Sequence, residues 1–429
     1  MQVLLKSVKV IAPASEFHQQ TVHIHIKDGV ISSISADLPA VDATITTIEQ
    51  PGLCLSPGWL DMNAWVGDPG LEHKEDLQSA AMAAAQGGFT EVICLPNVEP
   101  VHQTKNSIRY IQNQSRFLPV SFHAFGAITT DVHGKELTEM IDLHEAGAVA
   151  FTDGLQPVQQ ADVLVKALQY VQYFNGLIIQ KPENTSLTQH GLMHEGVVST
   201  QLGLKGMPPL AEEVIIARDL KLLRYTGGRL HFSLISSAEA VQLIREAKQQ
   251  GLAVTCDMAA YQTAFTDAEM LPFDTNFKVN PPFRTQQDQE ALQQGLQDGT
   301  IDVLVSGHRP QDPESKNLEF DMAEFGITSL ETAFAVANTY LSPVIGLEKV
   351  LTKLVEAPRF ILNMPVPEIK TGEIANVTLF HPAQNWVPTL ATTASKSLNH
   401  PFYGQHLQGQ VFGIIHKNQC VFNPNFGLS

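Results

Sequence analysis

The order of apolar runs in this chain predicts an α/β fold, a (β/α)8 TIM-type barrel beside a small discontinuous β-sandwich domain built from both termini. Three observations predict it. Between residues 55 and 369, short apolar segments of strand length alternate with longer helical patterns about eight times. The flanking stretches, 1–54 and 370–429, lack that alternation and read as strands and turns. No Gly-x-Gly-x-x-Gly follows the first barrel strand, which weighs against an open doubly wound sheet.

At the N-terminus, Val3 to Ile11 and Thr21 to Ile26 alternate or run apolar before a Lys27-Asp28-Gly29 turn, and Pro51 to Pro57 marks a boundary. Barrel strands are then expected at Gly58–Val66, Glu91–Leu95, Val120–Phe125, Ala148–Phe151, Leu177–Gln180, Arg229–Ile235, Ala253–Met258 and Ile301–Val305. Helical patterns lie between them at Glu75–Gln86, Gly134–Glu145, Val163–Tyr173, Ala211–Tyr225, Ala238–Gln249 and Asp288–Gln297. Gly147 and Gly251 sit just past two of these, where a helix end favours glycine. Beyond Pro367 the pattern returns to strands, Ala375–Phe380 and Val411–His416, with a Lys417-Asn418 turn. Domain termini often lie close together, so the two ends are expected to meet in one domain.

Composition excludes several function classes. Lys plus Arg is 27 against 44 for Asp plus Glu, a net charge of −17, which argues against a nucleic-acid backbone or an anionic membrane as partner. The four cysteines form no Cys-x-x-Cys pair, so neither a zinc–thiolate site nor a disulfide framework is indicated, and a reducing cytoplasm is expected. Met1 to Ala12 carries no cleavage signal, and no uncharged apolar stretch reaches about 18 residues, so neither a signal peptide nor a membrane helix is expected.

A barrel places its chemistry at the C-terminal ends of its strands. Those ends read Asp61-Met62-Asn63-Ala64-Trp65-Val66-Gly67-Asp68, Leu95-Pro96-Asn97, Phe151-Thr152-Asp153, Ile179-Gln180-Lys181, His231-Phe232-Ser233-Leu234 and Val305-Ser306-Gly307-His308-Arg309. A hydrolytic zinc site needs three protein ligands and an open position. Beyond the carboxylates of the first stretch, these ends supply Asp153, two histidines and several amides. The only His-x-His, His23-Ile24-His25, falls in the expected β domain and reads as strand-surface histidines. No Gly-x-Ser-x-Gly elbow is present.

An ordered series of motifs resembles the dihydroorotases of the multifunctional-complex type, within the cyclic amidohydrolases. It runs from Pro57-Gly58-Trp59-Leu60-Asp61-Met62 through Gly87-Gly88-Phe89-Thr90, Gly203-Leu204-Lys205-Gly206-Met207-Pro208 and Lys278-Val279-Asn280-Pro281-Pro282-Phe283-Arg284 to Asn399-His400-Pro401-Phe402. The resemblance implies an amidohydrolase barrel with metal ligands at set positions. Asp153 matches the metal-bridging aspartate. Asn63, Trp65, Gln180 and Leu234 fall at lost ligand positions, Gly67 where a substrate-gripping arginine is expected, and Gly307 at the acid/base position. Asn97, Asn280, Arg284 and His308 match positions near the substrate.

The resemblance with these losses implies a catalytically inactive protein of pyrimidine biosynthesis. It would be a structural or regulatory partner of aspartate transcarbamoylase or another pathway protein, and a homo-oligomer needing no cofactor. The alternatives are an active cyclic-amide hydrolase, with zinc in a site rebuilt from His231, His308, Glu183 and Asp153, and a non-catalytic ligand sensor.

Overall fold

A computed structural model describes residues 1–38 and 45–427, so residues 39–44 of the N-terminal stretch and 428–429 of the tail lie outside the described residues. The protein is an α/β barrel with a β-sandwich domain. Barrel strands one to three, Trp59–Ala64, Phe89–Cys94 and Ser121–Ala124, pair in parallel. Strands five to eight, Ile178–Gln180, Leu230–Phe232, Val254–Ala259 and Val303–Val305, form a second parallel run. Phe151 bridges the two runs through Gly126 and Ile178, and Ala64 bridges His308 to close the ring. Position four is thus a single bridging residue rather than a full strand.

Side chains alternate between two layers, as the pleat requires. Leu60, Met62, Ile93, Leu95, Ile179, Val303 and Val305 fill the barrel interior. Val92, Cys94, Phe122, Ile178, Phe232 and Cys256 pack outward against the helices. All four cysteines are free. Among the described residues, no helix is long and apolar enough to cross a membrane.

The β domain joins the two chain ends edge to edge. Cys54–Pro57 pairs with Val377–Trp386 on one side and with Gln2–Val10 on the other. Val3, Leu5, Val22, Ile24, Ile26, Val377 and Ile415 share its core. His23 and His25 lie on one face of Thr21–Lys27 in this domain, away from the barrel mouth.

Helices differ from expectation in three places. The Gly134–Glu145 pattern yields helix only at Met140–Glu145. Lys105–Ser115 is a helix that its polar composition hid; only Ile108 and Ile111 are large buried apolar residues, and Thr104 caps it. Residues 333–361 form four short helices, Ala333–Tyr340, Ser342–Ile345, Leu347–Leu354 and Glu356–Ile361, each too short to show a sustained period.

Candidate functional site at the barrel mouth

Asn63 and Trp65 end strand one. The Asn63 amide donates to Ser233 Oγ at 2.8 Å, and Ser233 Oγ donates to Asp257 Oδ2 at 2.9 Å. Trp65 is buried among Leu95, Ile179 and Leu234. Its indole N–H donates to the Asn97 carbonyl at 2.7 Å and its backbone N–H to the His308 carbonyl at 2.8 Å. The mouth therefore holds an apolar plug anchored at both ends, where the resemblance places a metal ligand.

Leu234 lines the same space in a left-handed conformation, φ 58°, which a bulky residue rarely adopts. Asp257 Oδ1 accepts its N–H at 2.7 Å and holds it there. A leucine has no lone pair to offer a metal. Asp257 is the residue that sequence reasoning missed. It is fully buried and also receives His231 Nε2 at 2.9 Å, while His231 Nδ1 meets Thr255 Oγ1 at 2.8 Å. A carboxylate inside the apolar run Val254–Ala259 needs such partners, and that mismatch was the available signal. Ser233 bonds the aspartate and not the histidine, so these groups form no nucleophilic triad.

Two glycines show that the loss is built into the backbone. A Cβ on Gly67 would lie 2.3 Å from the Leu71 carbonyl oxygen, so no arginine fits there without moving that turn. Gly307 has φ +63°, and a Cβ would lie 3.0 Å from both Ala259 Cβ and the Tyr261 ring. Tyr261 has closed over the acid/base position.

The other candidates divide. Asp153 does not point at a metal: its Oδ1 accepts the N–H groups of Ile128 and Thr129, both at 2.9 Å, and its Oδ2 the Thr129 hydroxyl at 2.5 Å. Burial pushes it up to about 6 in spite of those donors. Asn97 donates to the Asp153 carbonyl at 3.0 Å and accepts from Leu155 N–H at 2.9 Å, clamping the ends of strand two and the strand-four stretch. Arg284 is buried on the Met207 carbonyl at 2.7 Å and Ser236 Oγ at 3.1 Å. All three bond within the fold, and Arg284 also lines a small space beside Asn280.

Asn280 and His308 do line the cavity. His308 Nδ1 accepts from Ser329 N–H at 3.1 Å, and its Nε2 faces Glu75 Oε2 at 3.5 Å, so both ring nitrogens face protein. Gln180, expected at a lost ligand position, does not face the barrel interior. It sits one residue out of phase with the barrel interior, and its amide bonds Val158 and, at 3.2 Å, Asp219 on the helix Leu210–Thr226. The strand presents Lys181 at its end instead, paired with Glu183 at 2.6 Å.

The C-terminal segment closes the mouth. Glu75 accepts from Ser395 Oγ and Lys396 N–H, Asn399 bridges Gln311 and Arg309, and His400 Nδ1 meets the Thr328 carbonyl at 2.6 Å. Glu331 takes the N–H groups of Ala394 and Ser395. Burial pushes Glu331 up to about 7 against those donors. A folded value above the unfolded 4.5 means that its stabilisation is fully present below about 4.5 and is lost as pH rises through about 7. Glu331→Gln, which cannot ionise, should therefore gain stability relative to the parent between pH 5 and pH 8. Denaturation midpoints that stay a constant distance apart would contradict this.

Two spaces of about 20 Å³ each remain at the mouth, one bordered by Asn63, Trp65, Leu234, Tyr261, Asn280 and Arg309, the other by Lys181, Glu183, Leu234, Asn280 and Arg284. Among the described residues, no three His, Cys, Asp or Glu side chains are grouped to hold a metal ion.

Comparison with known proteins places this geometry among relatives. A family model described as dihydro-orotase-like matches residues 52–240. A protein named dihydroorotase from Syntrophus aciditrophicus is 36% identical over 427 residues, covering 99% of this chain and 100% of that one. Another, from Pelotomaculum thermopropionicum, is 39% identical over 424 residues, covering 98% of each. Among solved structures, L-hydantoinase from Arthrobacter aurescens superposes with a TM-score of 0.84 at 22% identity, over 98% of this chain and 96% of that one. A D-hydantoinase gives 0.82 at 19% identity, over 99% and 98%. These two establish the fold. The relatives overturn the expectation that no cofactor is needed, because dihydroorotases and hydantoinases are zinc-dependent and zinc is what the kinship implies.

Proposed function

Since this chain belongs to the dihydroorotase family, we propose that it is a protein of pyrimidine biosynthesis whose barrel no longer hydrolyses a ring amide. Its role is structural or regulatory, as a partner of aspartate transcarbamoylase or another protein of the pathway. One observation carries the reading: the residues at the mouth do not fit the metal pair that the family implies. Zinc takes nitrogen, thiolate or carboxylate donors, whereas the mouth presents an indole, an isobutyl group, a glycine and an asparagine already bonded to Ser233. Asp153 has spent both carboxylate oxygens on the 128–129 segment. No hydrolytic step is derived through a metal on these groups. Each space at the mouth is also too small for a dihydropyrimidine ring, which weighs against a sensor of dihydroorotate.

The names of the relatives favour a second reading, an active zinc hydrolase that converts dihydroorotate to carbamoyl aspartate. It requires His231, His308, Glu183 and Asp153 to leave their present partners and converge, and each is held by at least one close contact. Two zinc ions per chain, with turnover that disappears on chelation, would establish it.

The partner role has its own test. Purification of the full chain from its native cells at moderate salt should bring the transcarbamoylase with it in fixed ratio. A chain that elutes with no pathway protein, and that does not bind purified transcarbamoylase on mixing, contradicts the role.

A further inference from the structure

Segments that follow barrel strands five, seven and eight meet around a solvent-open groove of about 590 Å³. Leu192, Leu204, Phe273, Leu318 and Phe320 line it. Phe320 is buried in the core, and the Phe273 ring stands edge-on to it with centroids 6.2 Å apart. Phe273 and Leu318, with Leu271 and Met322 close by in sequence, are 44–67% exposed. Single exposed apolar residues need no partner, but several gathered at one groove mark an interaction surface. Phe273 also has φ 57°, a left-handed conformation that a bulky residue rarely adopts. Its N–H donates to the Met270 carbonyl at 2.9 Å, which fixes the turn. Backbone strain is thus spent on holding an aromatic ring half in solvent, and strain of this kind collects where a surface is used.

Charges of both signs border the groove. Lys205 comes from the segment after strand five, and Glu319 and Asp321 from the segment after strand eight. All three are exposed. Among the described residues none of them forms an ion pair. A border of one sign would select a partner of the other sign. A border that carries both signs on separate segments complements its own image across a two-fold axis, where each residue meets its counterpart's partner twice over. The chain has a net charge of −17, so two copies repel over most approaches. A free cation meeting free acids is the approach that escapes this.

We propose that this groove is where a second copy of the chain docks to form a two-fold dimer. Phe273 of each copy enters the groove of the other, and Lys205 of each faces Glu319 and Asp321 of the other. The pairing removes the apolar side chains of both copies from water at once. An aromatic anchor at the centre suits the residue type that carries most interface energy. The charges fix register and orientation more than affinity. The inference is independent of whether the barrel hydrolyses a ring amide, because the groove shares no lining residue with either space at the mouth.

Sedimentation equilibrium of the full chain at micromolar concentration tests it, and a dimer is the expected result. Phe273→Asp should weaken association by about thirtyfold or more. That variant should fold, because aspartate tolerates the left-handed backbone better than phenylalanine. Lys205→Glu alone, and Glu319→Lys/Asp321→Lys together, should each weaken association by about tenfold or more. The triple variant exchanges the charges within one chain and should restore it. Net charge alone predicts otherwise, since turning two acids into lysines makes the chain less acidic and would tighten any other contact between copies. A parent chain that sediments as a monomer overturns the proposal. So does an association that a folded Phe273→Asp leaves intact, or a charge series in which the triple variant is as weak as its parts. Should Phe273→Asp fail to fold, the charge series decides the matter alone.

Discussion

Restoring the family donors together, as Asn63→His, Trp65→His, Leu234→His and Gly307→Asp, is expected to destabilise the barrel by roughly 3–5 kcal/mol or more and to produce no turnover of dihydroorotate. Trp65 is a large buried group, and its replacement leaves a void among Leu95, Ile179 and Leu234. It also frees the Asn97 carbonyl. Asn63→His breaks the chain from Asn63 through Ser233 to Asp257. Gly307→Asp places a side chain at φ +63° against Tyr261 and Ala259, which strains the backbone and crowds the ring. Even a folded variant would lack the substrate-gripping arginine, because Gly67 is closed by the Leu71 carbonyl. Chemical denaturation of the four-fold variant, with an assay in zinc, checks both halves. Parental stability together with zinc-dependent hydrolysis would show that the mouth is still a metal site in waiting.

Arg359→Ala is expected to cost about 3–5 kcal/mol, because it strands a buried charge. Arg359 lies fully buried under the barrel, with Nη2 on Glu91 Oε1 at 2.7 Å and Nη1 on the Val355 carbonyl at 2.9 Å. Glu91 also receives Asn376 at 3.2 Å from the segment leading into the β domain, and His123 at 3.2 Å. Burial alone would push Glu91 up, but His123 and Arg359 hold its carboxyl well below the usual carboxylate range. The cluster therefore ties strand two, a late helix and the second half of the β domain. The double variant Arg359→Met/Glu91→Leu removes both charges and should recover most of the loss. A double variant no more stable than Arg359→Ala in urea denaturation would show that the charge pair is not the cause.

Strand–helix alternation made the barrel legible, since a period of two against 3.6 survives in a single sequence. The helix Lys105–Ser115 and the helices of 333–361 were hidden, the first by its polar surface and the others by their brevity, none exceeding eight residues. At the mouth, Trp65, Leu234 and Gly307 could be read as losses because their side chains lack donors whatever the geometry. Gln180 could not be placed, because a one-residue shift in phase moves a side chain from the barrel interior to the helix layer. Asp257, Tyr261 and Glu75 were beyond reach as partners, since their roles depend on contacts across 23 to 320 residues of chain that no local pattern records. Asp153 shows the opposite limit: the residue matches the family position, but its hydrogen bonds have turned it into scaffold.

Formation of carbamoyl aspartate from dihydroorotate by the purified full-length chain, saturated with zinc, tests the central claim most directly. A rate indistinguishable from the uncatalysed background, in protein shown to be folded, is the predicted result. Turnover well above that background, lost on chelation and regained on adding zinc, would contradict it and establish the hydrolase reading.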